Sequence, residues 1–239
     1  LRRFAYALLL GYGAIGFLGM VLGAVGAFTS QALWSIALFV LVLARRIVSA
    51  HWAYVQAFRL KSFFSQFKSE SRGILILRLL VALWLIANFF IVFVPITGHD
   101  TLDYHLPVMQ SLVERGVLDL SATSFTPLPV FGETLYAVPI AMFHEVEAPF
   151  MFQLLQYIVF VLFLGIVFAF LRDRVHHPLF SIVGVLGMVS LMDLWREVLH
   201  GGYVDVIGFV YGMVSMLIVV EYAARKEAQP PATLLLSAL

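Results

Sequence analysis

The run ILILRLLVALWLIANFFIVFVP, Ile74 to Pro95, decides the class of this protein: it holds one charge, Arg78, and one amide, Asn88, among otherwise apolar residues. Crossing a hydrocarbon layer about 30 Å thick takes roughly 20 such residues at about 1.5 Å each. The rest of the chain has the same character. Of 239 residues, 62% are hydrophobic, 15% aromatic and only 12% charged, with a mean hydropathy of +0.98. A soluble domain carries about a quarter of its residues charged. So few charges leave no surface to offer water, which excludes a cytosolic enzyme, a nucleic-acid binder and a disordered regulator. The absence of cysteine excludes disulfides, thiolate metal sites and Cys nucleophiles. The chain reads as an integral membrane protein.

Working outward, further stretches meet the same requirement: Phe4–Phe28, Ala32–Val48 with Arg45 and Arg46 near its end, Pro149–Leu171, Leu179–Met192 and Val204–Tyr222. The first carries a stripe of small residues, Gly11, Gly13, Gly16, Gly19, Gly23 and Gly26, which permits close helix approach. Thr233–Leu239 starts another apolar run and stops, and the chain opens Leu-Arg-Arg without Met, so a piece of a longer protein is expected. Two segments are expected not to cross. His51–Lys68 sets Trp52, Phe63, Phe64 and Phe67 among Arg59, Lys61 and Lys68, the pattern of an amphipathic helix in the cytoplasmic interface. Phe131–Phe143 is apolar but short, holds Glu133 and Pro139, and is expected to lie along the outer interface or to re-enter.

The expected organisation is therefore a transmembrane hairpin over 1–50, a cytoplasmic amphipathic linker over 51–73, and a transmembrane module over 74–239, incomplete at its carboxy end. The first extracytoplasmic loop covers 96–148. As a fold class this is an all-α, polytopic transmembrane helix bundle with a long extracytoplasmic loop containing interfacial helices. Charge sets its orientation. With a cytoplasmic amino terminus and six crossings, only Arg78, Arg115 and Arg196 of the 15 basic residues lie off the cytoplasmic side. That obeys the positive-inside rule. The acids run the other way, with only Glu70, Asp173, Glu221 and Glu227 of 14 on the cytoplasmic side. Acids contribute little to topology, so their bias outward points to an acidic site on that face.

The loop after Pro95 is far longer than the usual connection of about 4–6 residues and is therefore functional or disordered. Its Leu, Val, Phe and Tyr content argues against disorder. It opens Pro95-Ile-Thr-Gly-His-Asp100-Thr-Leu-Asp103-Tyr104-His105-Leu-Pro107. Asp100, Asp103 and Tyr104 fall at i, i+3 and i+4, one face of a helical turn, and Thr97 or Asp100 is placed to cap it. A solvated or helix-capping acid is the plain alternative to a catalytic one. His99, Asp100, Asp103 and His105 also offer metal-ligand types, but neighbours on one turn diverge. At most Asp100 with Asp103, or Asp103 with a distant partner, faces one ion.

This arrangement resembles the GT-C superfamily of polyprenyl-phosphate-sugar-dependent membrane glycosyltransferases, which includes the protein O-mannosyltransferase and aminoarabinose-transferase branches. The resemblance rests on an Asp-x-x-x-Tyr turn after a span, Asp100–Tyr104, and a following helix that ends in a glycine, Met109 to Gly116. Next come a Pro-containing apolar segment, Thr126-Pro-Leu-Pro129 through Leu135-Tyr136, and a span ending Leu171-Arg-Asp-Arg174. Tyr203-Val-Asp205 before the next span completes the pattern, which covers roughly Ile74 to Lys226. The chain departs from it in three ways. Two spans and the interfacial helix precede it, the second acid follows at Asp103 instead of Thr101, and the family's later spans are absent.

The resemblance implies inverting transfer of a sugar from a polyprenyl phosphate to an acceptor lipid, glycan or protein on the extracytoplasmic face of a membrane, expected to be a bacterial inner (plasma) membrane. Asp100 is then the catalytic base, with Asp103 as orienter or alternative base. Tyr104 and His105 would bind substrate beside them; an interface-belt role is the plain alternative for Tyr104. Glu133 falls where some relatives place a charged active-site residue. Tyr203 and Asp205 would meet a sugar hydroxyl, and Asp205 a divalent cation in the branches that use one. Arg196 is a phosphate contact, or else pairs with Glu197 or Asp193 as solvated loop. His176 and His177 beside Pro178 are expected to be inert. Asn88, Gln153 and Gln156 are expected to bond neighbouring helices. Two rival readings are a transporter or channel subunit, disfavoured by the scarcity of ionisable residues inside the spans, and a non-catalytic assembly subunit.

Overall fold

The computed structural model describes residues 2–57, 71–96, 98, 101–119, 131–144, 150–175, 177–190 and 205–223. Every regular element among the described residues is a helix. In chain order they are α1 (Arg2–Ala24), α2 (Ser30–Ala57), α3 (Arg72–Ile91), a π turn (Thr101–His105) that feeds directly into α4 (Leu106–Arg115), α5 (Phe131–Phe143), α6 (Phe150–Val175), α7 (Pro178–Val189) and α8 (Asp205–Ala223). Three are long and apolar enough to cross a membrane: α1 over Ala5–Ala24, all of α3, and all of α6.

α3 is the outermost of these. None of its residues is buried, and Ile76, Leu79, Leu80, Leu83, Ile86 and Phe90 make an exposed apolar face. A water-soluble protein rarely leaves so continuous a patch bare, whereas lipid covers it at no cost. Its other face meets α6. The Trp84 and Phe160 rings pack edge to face at 5.8 Å, and the Tyr157 hydroxyl donates to the Leu85 carbonyl at 2.8 Å. Asn88 corrects an expectation here: it donates to the Trp84 carbonyl of its own helix at 2.8 Å, not to a neighbouring one. Gln153 does reach across, donating to the Val94 carbonyl at 3.0 Å.

Two boundaries also move. α2 runs on to Ala57, so His51–Ala57 continues the second helix where a separate interfacial helix was expected to begin. No Gly or Pro lies between Ser30 and Ala57 to stop it. The remainder of that expected helix lies outside the described residues. α7 has 12 residues, about 18 Å of helix, against the roughly 30 Å that a crossing needs. His177 caps it, its ring accepting from the Leu179 N–H at 3.3 Å ahead of Pro178.

For α5 the burial speaks against the first of the two expected placements, along the outer interface, and leaves re-entry. Gly132 through Ala141 are all buried, whereas a helix resting on a bilayer surface keeps one face in water. α5 instead lies inside the bundle, packed by α1, α2, α4, α6 and α8. The glycine stripe of α1 is its seat. A Cβ added at Gly16 would stand 3.0 Å from Leu135 Cβ, one at Gly19 3.3 Å from Val138 Cγ2, and one at Gly23 2.9 Å from Leu112 Cδ1 of α4. Gly13 has the same relation to the Tyr211 hydroxyl of α8, at 3.0 Å, while Gly11 looks into open space. One apolar core joins α1, α6, α7 and α8 through Leu9, Phe160, Phe163, Val185 and Val210; a second gathers round α5 with Phe28, Met109, Leu112, Phe152 and Ile207.

A backbone corner fixes the far ends of α1 and α4 together. Phe28 N–H donates to the Gly116 carbonyl at 3.1 Å, and Leu118 N–H to the Gly23 carbonyl at 3.0 Å. Gly26 and Gly116 take φ of 72° and 70° there, the left-handed region that a side chain strains.

Candidate functional site

The acidic turn is not an α-helical one. Thr101–His105 forms a π turn, in which Thr101 and His105 are buried while Leu102 and Asp103 are exposed and Tyr104 is half-buried. Pro107 supplies a reason for the wider turn. It lacks an N–H for the carbonyl four residues back, at Asp103, and its ring crowds that carbonyl. Asp103 is exposed and His105 buried, two residues apart and so on opposite faces of the turn.

Inside the bundle His105 meets Glu133. Nδ1 lies 2.7 Å from Oε1, and both side chains are only 4% exposed. Nδ1–H donates when Glu133 is a carboxylate, and the carboxyl O–H donates to a bare Nδ1 when it is not. The contact is an ion pair when the imidazole is protonated and a hydrogen bond when it is neutral. His105 Nε2, Glu133 Oε2 and the Tyr136 hydroxyl, one turn along α5 from Glu133, are all buried without a hydrogen-bond partner among the described residues. Tyr136 is held by packing, its ring edge-on to Phe152 at 4.2 Å.

The depth of this pair follows from its neighbour. The Thr134 hydroxyl donates to the Gly16 carbonyl at 3.3 Å, and Gly16 lies about 12 Å along α1 from its Ala24 end. Glu133 thus sits near the middle of a helix long enough to cross a membrane. α4 points the same way: its Gly116 end is clamped beside Phe28 at the α1–α2 turn, and its other end descends to His105. The amino ends of α4, through the π turn, and of α5 therefore converge at one level in the bundle.

Of the candidate residues, the fold brings His105 and Glu133 together from the two ends of the loop and leaves Asp103 on its outward face. Both His105 and Glu133 are buried. The Tyr104 ring lies against the His105 ring, centroids 3.9 Å apart. Asp100, Arg196 and Tyr203 lie outside the described residues. Asp205 opens α8, and its side chain is likewise outside them. Among the described residues no three His, Asp or Glu converge as a metal site would require; a divalent cation would depend on Asp100 or on the Asp205 carboxylate.

Reading the sequence missed the pairing itself, and with it Thr134 and Tyr136. A signal was present: a lone carboxylate inside an apolar helix needs a partner, and His105 is the titratable residue at the foot of the adjacent helix. Near the α4 terminus Arg115 bonds Asp119 at 3.0 Å, an exposed pair of little weight. No known family model, curated protein or solved structure matches this chain.

Proposed function

We propose that this chain is the membrane part of a GT-C-type glycosyltransferase, with an active face on the extracytoplasmic side of a bacterial inner (plasma) membrane. It moves a sugar from a polyprenyl-phosphate donor to an acceptor lipid, glycan or protein. The observation that carries this reading is the buried His105–Glu133 contact. A turn that presents carboxylates to a reacting sugar must be held against a rigid element. His105, next to that turn, is pinned to α5, while Asp103 is left exposed on the opposite side.

In the proposed step Asp100 takes the proton from the acceptor hydroxyl or amine as that group bonds to the anomeric carbon. The bond from that carbon to the phosphate oxygen breaks, and its electron pair leaves with the polyprenyl phosphate. Positive charge on the sugar ring is stabilised by the same carboxylate. Asp103 orients Asp100 or substitutes for it, and Tyr104 hydrogen-bonds one of the two. Asp205 with Tyr203 would hold a sugar hydroxyl or a divalent cation, and Arg196 the departing phosphate. The deciding measurement is sugar transfer from polyprenyl-phosphate sugars by the full-length protein, wild type against Asp100→Asn. Unchanged turnover would remove Asp100 from the chemistry.

A second reading has its own observation. A buried His–Glu pair midway along a spanning helix, at the meeting of two short-helix amino ends, is also the setting of a transporter's proton or ion site. Proton-coupled flux in reconstituted vesicles, lost on Glu133→Gln, would favour it over sugar transfer.

A further inference from the structure

Polar groups inside the bundle continue beyond the His105–Glu133 contact. Tyr136, one turn along α5, shares the core around that helix with Tyr12 of α1 and Tyr211 of α8. The three phenols are near enough to act on one another electrostatically. The Tyr12 hydroxyl, like Glu133 Oε2, His105 Nε2 and the Tyr136 hydroxyl, is buried without a hydrogen-bond partner among the described residues. Tyr211 ends the row, its hydroxyl donating to the Leu9 carbonyl beside Gly13. Glu133 sits at the level of Gly16, next to Thr134, so Leu9 lies about 10 Å further along α1 towards Arg2. At the other end the His105 ring lies against that of Tyr104, in the acidic turn. A row of proton-bearing side chains thus runs through an apolar interior, where unpartnered polar groups are costly and ionisable ones mark proton or ion paths.

We propose that His105, Glu133, Tyr136, Tyr12 and Tyr211 form a proton relay from the acidic turn towards the Arg2 end of α1. The relay deepens the second reading above, the His–Glu pair as a proton site, and rests on it. Each member receives a proton at one atom while releasing one from another. His105 takes a proton from water at Nε2 and releases the one on Nδ1 to Glu133 Oε1. The Glu133 carboxyl gives its Oε2 proton to the Tyr136 oxygen in the same movement. The Tyr136 hydroxyl proton passes to Tyr12, that of Tyr12 to Tyr211, and that of Tyr211 to water on the far side. One proton enters and one leaves, so no charge remains in the interior. A ring flip of His105 and rotation of the carboxyl and hydroxyl groups reset the row.

The test reconstitutes the purified full chain in potassium-loaded vesicles of phosphatidylethanolamine and phosphatidylglycerol. Valinomycin sets an inside-negative potential, and an enclosed pH-sensitive dye reads proton entry. Wild type should acidify the lumen faster than protein-free vesicles, and Glu133→Gln should return the rate to theirs. Tyr136→Phe and Tyr12→Phe should each slow entry about 10²-fold, the lower end of what one positioned proton-transfer group supplies. Their melting temperatures should stay at or above that of the wild type, a split between rate and stability that a packing role would not produce. Both keep the ring, so they decide the matter if Glu133→Gln does not fold. Wild-type entry no faster than that of protein-free vesicles overturns the relay and the proton-site reading together. Entry lost in Glu133→Gln but undiminished in both tyrosine variants overturns the relay alone and leaves the proton site standing.

Discussion

His105 and Glu133, 28 residues apart in the chain, meet Nδ1 to Oε1 at 2.7 Å inside the bundle. Among the described residues neither side chain has another hydrogen-bond partner, so removing one strands a buried polar group. Glu133→Ala or His105→Ala should cost about 3 kcal/mol, between the penalty for an orphaned neutral group and that for an orphaned charge. Replacing both, as His105→Phe with Glu133→Leu, should cost less than the two single changes together. A double-mutant cycle of melting in detergent measures the difference; strict additivity would mean that the two side chains do not interact.

Asp100→Asn should lower sugar transfer about 10²–10⁴-fold, the usual contribution of a general base. Asp103→Asn should lower it less, since the exposed Asp103 is assigned only an orienting or substitute role. Initial rates with a polyprenyl-phosphate sugar and the full-length protein decide the order; a larger loss at Asp103 would exchange the two roles.

The Tyr136 hydroxyl is fully buried with no hydrogen-bond partner among the described residues. Burying such a group costs about 1–3 kcal/mol by mutational measure. Tyr136→Phe keeps the ring against Phe152 and deletes the stranded oxygen, so it should leave the melting temperature unchanged or raise it. A clear drop would reveal a partner for that hydroxyl, such as a bound substrate group or water.

The α1 stripe predicts a contrast between two glycines. Gly16→Val drives a side chain into Leu135, where even a Cβ would be 3.0 Å away, and should cost about 1–3 kcal/mol by overpacking. Gly11→Ala meets open space and should be neutral, or favourable by up to about 1 kcal/mol through helix propensity. Equal behaviour of the two in a thermal melt would separate α5 from α1.

Much of the fold could be read from the pattern of apolar runs, because span length and the absence of charge are one-dimensional properties. α1, α3, α6 and α8 begin and end within a few residues of where hydropathy puts them. What could not be read was who covers whom. Phe131–Phe143 is short and apolar, which fits a helix laid on a membrane and a helix sealed within a bundle equally well. Only Gly16 and Gly19, matched in three dimensions with Leu135 and Val138, tell them apart. The same holds for the site. His105 and Glu133 are both legible as candidates, but nothing in the sequence pairs two residues 28 apart, and the spacing of Asp100, Asp103 and Tyr104 assumes an α turn where Thr101–His105 forms a π turn.

The enclosure of α5 sets an order on biogenesis. Its seat on α1 leaves the ribosome first, yet Ile207 and Tyr211, which close its remaining side, are translated long after it. Until α8 emerges, a fully apolar helix bearing one acid stands half-wrapped in the nascent protein. Arrest of translation before Asp205 should therefore leave α5 without its α8 cover.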